Sequence, residues 1–400
     1  MLPIRSLERP HILTIVLIAS LGALNLNILL PSLNEIARAF AVPYSYVQLM
    51  LSAYMALTGA LQLVIGPLSD RYGRRPVLLI SLSIFLVATL VCIYAPTIGV
   101  LLAARMVQAT VIAGLVLSRA IVRDMVPLDQ AASMLGYVTM GMTLVPMVSP
   151  AIGGYFANSF GWQANFAITL IFGGFVYLVC LLTLAETNKA PADSFTEQFR
   201  AWPQLLRSRR FWGFSFTATF GSGVFFSYLG GAPFVGSEIL GMSPSELGYQ
   251  FAYVGLGYMV GNFISGRYST RLGAVNLMNA GAIVSASGAI VPMLLFWAGW
   301  QVPTAFFAPM LLVGLGNGMT LPSANAGMVS VAPHLAGAAS GLGGAMTIGG
   351  GSIMSVIASA VLSRETGPYP LLAVMLASTI LSFFASSYIR ILDRQEADEE

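Results

Sequence analysis

The sequence predicts an all-α membrane protein with twelve transmembrane helices in two pseudo-symmetric six-helix halves. Hydrophobic residues make up 56% of the 400 residues and charged residues only 9%, against about 25% charged residues in an ordinary soluble domain. Each helical span needs about 20 apolar residues, which leaves room for about a dozen spans with short loops. A charged segment after the second span also returns, in weaker form, 200 residues later.

Hydrophobicity and helix-breaking residues place the twelve spans along the chain. Their predicted bounds are 12–31, 44–65, 77–95, 97–120, 131–157, 164–184, 211–232, 246–265, 275–298, 303–326, 338–362 and 369–390. The predicted halves are 1–184 and 211–392, joined by a polar cytoplasmic linker at 185–210 with a short interfacial helix around Trp202. Residues 393–400 are an acidic cytoplasmic tail, which we expect to be disordered.

Residues 66–76 combine glycine, proline and charge between two long apolar segments. This composition predicts a tight turn between antiparallel spans, with Pro76 in the first turn of the third span. Three arginines in the segment predict that it faces the cytoplasm. Arg38 and Arg364 are the only basic residues in the predicted outer loops, so both termini are expected in the cytoplasm.

Two patterns occur twice in the chain. The spacing Gly-x-x-Ser-x-Arg-x-Gly in residues 66–73 returns in 266–273, and Ala-Ala-Ser-x-Leu-Gly in 131–136 returns in 338–343. The offsets are 200 and 207 residues, and the order is the same. Parallel repeats of six spans are typical of one class of secondary transporter.

Arg105 in span 4 is the ionisable group that the predicted spans place deep in the membrane. A guanidinium at that depth is costly, so such a residue is a functional candidate. Helical spacing places Arg105 on one stripe with Gln108 and Arg119, which is expected to face a central cavity. The alternative is that Arg105 satisfies backbone carbonyls of a neighbouring helix.

Residues 66–75 match the pattern Gly-x-Leu-x-Asp-Arg-x-Gly-Arg-Arg and resemble the loop signature of the major facilitator superfamily. Segments elsewhere resemble its Bcr/CflA group of twelve-span drug exporters: Arg105-x-x-Gln108 in span 4, Pro150-x-x-Gly153-Gly154 in span 5, Pro31, and residues 161–166, 231–235, 241–244 and 336–340. The resemblance covers nearly the whole chain. It implies the major facilitator fold and alternating access between the halves.

The resemblance also implies a set of gating residues in the loop and in span 5. These are Gly66, Asp70, Arg71, Gly73, Arg74, Arg75, Gly141, Pro146, Pro150, Gly153 and Gly154. Asp70 would close the inner side by meeting the positive N-terminal end of span 11, at residues 337–340. The small residues of span 5 would let helices of the two halves approach closely.

One position departs from the group. Its members carry an aspartate shortly before the proline that closes span 1, and this chain has Asn27 before Pro31. An amide does not titrate, and an arginine is a poor proton carrier. The resemblance therefore implies a proton-coupled antiporter, whereas Asn27 removes the carboxylate through which the proton would move.

Asn27 and Arg105 are predicted to form a polar pair that binds substrate, with the arginine favouring anionic or carbonyl-rich molecules. Aromatic, amide and thioether side chains give adaptable contacts, and they supply the other candidate lining residues. These are Asn25, Tyr54, Gln62, Met142, Phe226, Tyr228, Asn317 and Asn325. Core packing is the alternative role for each of them.

The predicted function is multidrug-type efflux of small amphipathic compounds across a bacterial inner membrane. The alternative is an exporter or facilitator of a specific anionic metabolite without proton coupling. An enzyme is not expected, because no cluster of acid, base or nucleophile lies at membrane depth. We expect a small-molecule substrate and the lipid bilayer as partners, protons by resemblance, a monomer, and no cofactor, metal, catalytic residue or nucleic acid.

Overall fold

The structure, a computed structural model, describes residues 11–125, 128–188, 202–332 and 335–399. Twelve long helices occupy these residues, one for each predicted span. In chain order they are α1 Ile12–Asn27, α2 Leu49–Tyr72, α3 Arg74–Ile93, α4 Ile98–Val107 with its continuation Ile112–Met125, α5 Leu128–Phe160, α6 Gln163–Thr183, α7 Arg209–Phe234, α8 Pro244–Leu272, α9 Ala274–Trp297, α10 Met310–Ser330, α11 Ala336–Ala360 and α12 Tyr369–Glu399. Short helices cover Leu33–Ala39, Tyr44–Val47, Trp202–Arg207 and Pro303–Phe307.

Nine helical segments within the described residues are long and apolar enough to cross a membrane. Helices α5, α7 and α8 fall outside that group, although they contain 33, 26 and 29 residues. The all-α fold that the sequence predicts is confirmed.

The predicted turn at 66–76 is wrong in its extent. Helix α2 continues to Tyr72 and α3 begins at Arg74, so Gly73 alone separates them. Gly73 has a φ of +97°, which glycine adopts without a steric penalty. Gly273, with a φ of +81°, separates α8 from α9 in the same way. The repeated sequence pattern thus builds the same reversal twice.

The ends of the predicted linker and the tail also have helical structure. Trp202–Arg207 is helical, as expected around Trp202, while residues 189–201 lie outside the described residues. The expectation of a disordered tail is wrong for residues 393–399, because α12 continues to Glu399. Arginine, glutamine, glutamate and alanine favour helix, so this sequence can extend α12 beyond the apolar span.

The first six long helices meet the last six through α2 against α11 and through α5 against α8. We name the two ends of the bundle after residues that lie there. The Arg74 end contains the reversals at Gly73 and Gly273, and the Glu238 end contains the π-helical turn Val235–Ile239 that follows α7.

Candidate functional site

Arg105 is the centre of a buried polar network among α1, α2 and α4. Its side chain is 1% exposed. The guanidinium donates from Nε to the Met50 carbonyl (3.1 Å) and from Nη2 to the Asn25 carbonyl (3.0 Å). Its Nη1 donates to Asn25 Oδ1 and Gln108 Oε1, both at 2.8 Å. These four hydrogen bonds provide the compensation that a buried charge requires.

Aromatic and hydroxyl groups extend the Arg105 network. The guanidinium carbon lies 4.1 Å from the centroid of the Tyr54 ring, a cation–π contact. Asn25 Nδ2 donates to the Tyr54 hydroxyl (3.1 Å), and Gln108 Nε2 donates to Thr89 Oγ1 (2.7 Å). Thr89 on α3 was missed by the sequence reasoning. The network therefore joins four helices. The alternative role predicted for Arg105, satisfying backbone carbonyls of neighbouring helices, accounts for two of its hydrogen bonds.

The predicted pair of Asn27 and Arg105 is not formed. Asn27 Nδ2 donates to the Ala23 carbonyl of its own helix at 2.8 Å, while Asn25 is the α1 residue that binds Arg105. Residues two apart on a helix do not share a face. Arg119, predicted on the Arg105 stripe, is exposed, because the 3₁₀ turn Gln108–Val111 changes the helical phase between them.

The other predicted lining residues have varied surroundings. Tyr228 is fully buried, with its ring near those of Phe251 and Phe307 at centroid distances of 5.4 and 6.4 Å. Phe226 packs against Gly351, and Gln62 lies beside Gly344, both on α11. Met142 is partly buried, and Asn325 is exposed. The structure therefore groups Asn25 with Tyr54 but leaves the rest of the set dispersed.

Two of these residues carry polar atoms without a partner among the described residues. The Tyr228 hydroxyl and Asn317 Nδ2 are buried and make no hydrogen bond there. An unsatisfied buried polar group costs about 1–3 kcal/mol. A substrate with hydrogen-bonding groups could satisfy both atoms, which keeps them candidates for substrate binding in the last six helices.

At the Arg74 end, Arg74 is the buried centre of a charged cluster and is 4% exposed. Its guanidinium pairs with Asp70 (2.5 Å) and Asp124 (3.0 Å), and it donates to Ser69 Oγ (2.5 Å). Glu186 accepts hydrogen bonds from the backbone N–H groups of Arg74 and Arg75, at 2.9 and 3.1 Å. A carboxylate at the first N–H groups of α3 is stabilised by the helix dipole.

The remaining predicted gating residues of this loop lie around the cluster. Arg75 donates from Nε to the Leu184 carbonyl (2.7 Å), which attaches α3 to the end of α6. Arg71 is exposed, with its guanidinium 5.5 Å from the centroid of the Tyr72 ring. Gly66 lies within α2 and is partly buried. The predicted contact of Asp70 with residues 337–340 stays a prediction.

We expect Asp70→Asn to lower transport several-fold while leaving ligand affinity unchanged. The amide keeps the size of the side chain but loses the charge that pairs with Arg74, while Asp124 still pairs with the buried guanidinium. Transport and equilibrium binding measured on the same preparation test this expectation. An equal loss of binding would show that Asp70 supports the substrate site rather than a gate.

Helix α5 packs closely both against the end of α1, within its own half, and against α8 of the other half. A Cβ atom on Gly153 would lie 1.9 Å from the Ile28 carbonyl oxygen, and one on Gly154 would lie 2.2 Å from that of Pro244 on α8. Pro146 and Pro150 lie inside the same helix, and Gly141 lies in a stretch whose side-chain surroundings are outside the described residues. The small residues of α5 therefore permit close packing, as predicted for this segment.

At the opposite end, Glu238 receives two arginines that come from different parts of the chain. Arg38 Nη2 lies 2.8 Å from Glu238 Oε1, and Arg364 contacts Oε2. Partial burial raises the pKa of Glu238, but the hydrogen bonds and charges of Arg364 and Arg38 outweigh it, so the pKa lies below its ordinary value. The sequence could have indicated this cluster, because Arg38 and Arg364 are the only basic residues in the predicted outer loops.

We expect Glu238→Gln to increase modestly the population in which the two sets of helices are separated at the Glu238 end. Lowering the pH should have the same effect. A carboxylate with a lowered pKa stabilises the closed arrangement above its ordinary pKa of about 4.3, and this contribution is lost as pH falls through the lowered value. Both arginines are about 70% exposed, so the closed population should fall only about two- to fivefold. Distances between spin labels at Tyr46 and Thr366 measure the change.

The matched control for this experiment is Glu365→Gln, which removes a carboxylate beside Arg364 without touching the pair. Both native cysteines, Cys92 and Cys180, are buried and free, so labels should react mainly at the introduced sites. Equal distance distributions in the wild type and Glu238→Gln would show that the ion pairs of Glu238 with Arg38 and Arg364 do not hold the Glu238 end closed.

Comparisons with known proteins agree with this architecture. A family model described as Major Facilitator Superfamily matches residues 15–356. The uncharacterized MFS-type transporter YdgK of Bacillus subtilis (strain 168) is 33% identical over 390 residues, which cover 94% of each chain. Multidrug resistance protein D of Escherichia coli (strain K12) is 28% identical over 350 residues, covering 87% of this chain and 88% of its own.

A bicyclomycin resistance protein homolog of Haemophilus influenzae is 29% identical over 389 residues, covering 94% of this chain and 95% of its own. Among solved structures, a bacterial homolog of the human lysosomal transporter Spinster, in an inward-facing and occupied conformation, superimposes with a TM-score of 0.72 at 18% identity and covers 96% of both chains. The chain thus belongs to the major facilitator superfamily, where it groups with the Bcr/CflA-type exporters, and it is a multi-pass membrane transporter rather than an enzyme.

Proposed function

We propose that the protein exports small amphipathic compounds, drug-like molecules included, by alternating access. The relatives named for multidrug and bicyclomycin resistance support this substrate class. In this proposal the halves 1–184 and 211–392 rock about α2, α5, α8 and α11, and residues 185–210 connect them. The Arg74 end would face the cytoplasm of a bacterial inner membrane, with both termini on that side, because arginines concentrate there.

Alternating access is supported by the position of the hydrogen bonds between the first six helices and the last six. Five side-chain contacts join the first six helices, with their connecting segments, to the last six, and all five lie toward the Glu238 end. Tyr44 donates to the Gly230 carbonyl (2.8 Å), and Gln48 donates to Ser355 Oγ (2.9 Å). The further bonds are Asn34 to Pro233, Arg38 to Glu238 and Ser352 to Ser52. Because these contacts hold the two sets of helices together at the Glu238 end, the two sets can separate at the Arg74 end.

Glu35 is the carboxylate best placed to couple export to protons. It lies on the short helix Leu33–Ala39, and its Oε2 atom is buried without a partner among the described residues. A cavity of about 200 Å³ beside it is also lined by Arg38, Asn158 and Ser237, so it lies where the two sets of helices meet. Asp124 is a weaker candidate, because Arg74 holds it as an ion pair.

The second candidate function is export of a specific anionic metabolite without proton coupling. Asn27 in place of a carboxylate favours this alternative, as does a buried cation at Arg105. In this conformation, however, Arg105 already donates to Asn25, Gln108 and the Met50 carbonyl. An anion would have to displace one of these acceptors, which makes direct recognition by Arg105 the less favoured mechanism.

Flux in proteoliposomes tests the proposal and separates the two functions. Radiolabelled chloramphenicol-type compounds and small organic anions are compared with and without an imposed pH gradient. We expect the gradient to accelerate flux of the amphipathic compounds and Glu35→Gln to remove that acceleration while exchange continues. Flux of organic anions alone, indifferent to the gradient, would overturn the proposal in favour of the second candidate.

A further inference from the structure

A second polar cavity lies inside the last six helices, well apart from Arg105. It has a volume of about 1010 Å³ and opens among the ends of α7, α8, α9, α10 and α12 at the Arg74 end. Arginine, asparagine and serine side chains line it, including Arg210, Arg390, Arg394, Asn262, Ser269 and Asn276. Neither the proposed export mechanism nor the charged clusters around Arg74 and Glu238 use this space.

The internal repeat explains why the cavity is there. In the first six helices, Gly73 is followed by Arg74, whose buried side chain fills the corresponding place and binds Asp70 and Asp124. In the last six helices, Gly273 is followed by Ala274, which lines the cavity. The side chain that fills the first site is therefore missing from the second, and open space remains.

The start of α9 lines the same cavity with Gly273, Ala274 and Val275. At the equivalent start of α3, the carboxylate of Glu186 accepts hydrogen bonds from the first two N–H groups. For α9, no described side chain caps the helix and no acid lies in its first turn. The partial positive charge of a helix start attracts anions.

Charge on the cavity lining favours an anion as well. Three arginines face one carboxylate, Asp393, which lies 3.0 Å from Arg210 Nη2. Arg390 donates to the neutral Asn276 Oδ1 at 2.5 Å. The described lining therefore carries three positive charges against one negative charge, a net excess of two. Arginine forks match the geometry of phosphate oxygens.

We propose that this cavity binds a phosphate-bearing anion, supplied either by the headgroup of a phospholipid or by a free solute. The anion takes the place that Glu186 has at α3, against the start of α9, and its charge is balanced by Arg390 and Arg394. This inference does not depend on the proposed export function. In the first six helices, the carboxylates of Glu186, Asp70 and Asp124 supply the negative charge at this site. In the last six helices, the bound ligand supplies it.

Binding is tested on the purified full-length protein in a neutral detergent. The probes are sn-glycerol 3-phosphate and dihexanoyl phosphatidylglycerol, with dihexanoyl phosphatidylcholine as the lipid whose headgroup is zwitterionic. We expect saturable binding of at least one net-anionic probe, tighter than that of the zwitterionic phosphatidylcholine control. Arg390→Gln and Arg394→Gln should each weaken it about tenfold, as loss of one charged hydrogen bond predicts.

Two further variants make the result specific. Arg209→Gln removes an exposed neighbour of Arg210 that does not line the cavity, so its affinity should equal that of the wild type. Ala274→Phe fills the space without altering charge and should also weaken binding, provided that its unfolding midpoint without ligand is unchanged. Tighter binding of phosphatidylglycerol than of glycerol phosphate would assign the site to a lipid, and equal binding would assign it to a solute. No saturable binding, or an equal loss in Arg209→Gln, would overturn the proposal.

Discussion

Arg105→Ala is expected to destabilise the protein strongly and to abolish transport. The substitution leaves the amide oxygens of Asn25 and Gln108 without their Arg105 donor and removes one hydrogen bond each from the carbonyls of Met50 and Asn25. Each buried acceptor left unpaired costs about 1–3 kcal/mol. It also removes the cation above the Tyr54 ring. The thermal unfolding midpoint in detergent, measured beside ligand affinity, checks the expectation.

Two controls separate a packing role of Arg105 from a role in binding substrate. Arg105→Lys keeps the charge but cannot reproduce the fork of donors, so it should recover only part of the stability. Arg267→Ala removes an exposed arginine on α8 and should leave the midpoint unchanged. If Arg105→Ala unfolded at the wild-type temperature and lost only its affinity for anionic ligands, Arg105 would be a substrate contact.

Gly154→Val is expected to separate α5 from α8 and to abolish transport. The new Cβ would lie 2.2 Å from the Pro244 carbonyl oxygen and 3.1 Å from the Ser245 Cα. Both atoms belong to the backbone, so no side-chain rotation relieves the clash, and overpacking typically costs about 1–3 kcal/mol. Spin labels at the exposed residues Tyr155 and Tyr249, on α5 and α8, should report longer distances.

Gly174→Val is the matched control for this substitution. A Cβ on Gly174 in α6 meets no atom within 4 Å, so distances and transport should equal those of the wild type. If Gly154→Val left both quantities unchanged as well, the close approach of α5 and α8 would not be part of the transport cycle.

Local sequence pattern determined much of this protein. The scarcity of charge predicted an all-α membrane fold, and the repeated Gly-x-x-Ser-x-Arg-x-Gly pattern marked both helix reversals, at Gly73 and Gly273. The depth of Arg105 in span 4 indicated a functional or structural role for its charge. These features depend on composition and on short spacings, which act within one helix or one turn.

The tertiary structure alone decided which polar groups meet. Asn25 and Asn27 are equally plausible partners of Arg105 by span position, but they lie about 200° apart around α1, and only the rotation of α1 against α4 selects Asn25. Helical periodicity cannot give that rotation. It is set by how side chains of several helices interlock.

The same limit applies to sites built from distant segments. Glu238 meets arginines that lie 200 and 126 positions away in the chain, and the large cavity at the Arg74 end combines residues from five helices. The sequence showed that Ala274 stands where the first repeat has Arg74. That this leaves a space lined by Arg210, Arg390 and Arg394 follows only from the packing of α7 and α12 beside α9, because the charges lie outside the repeated pattern.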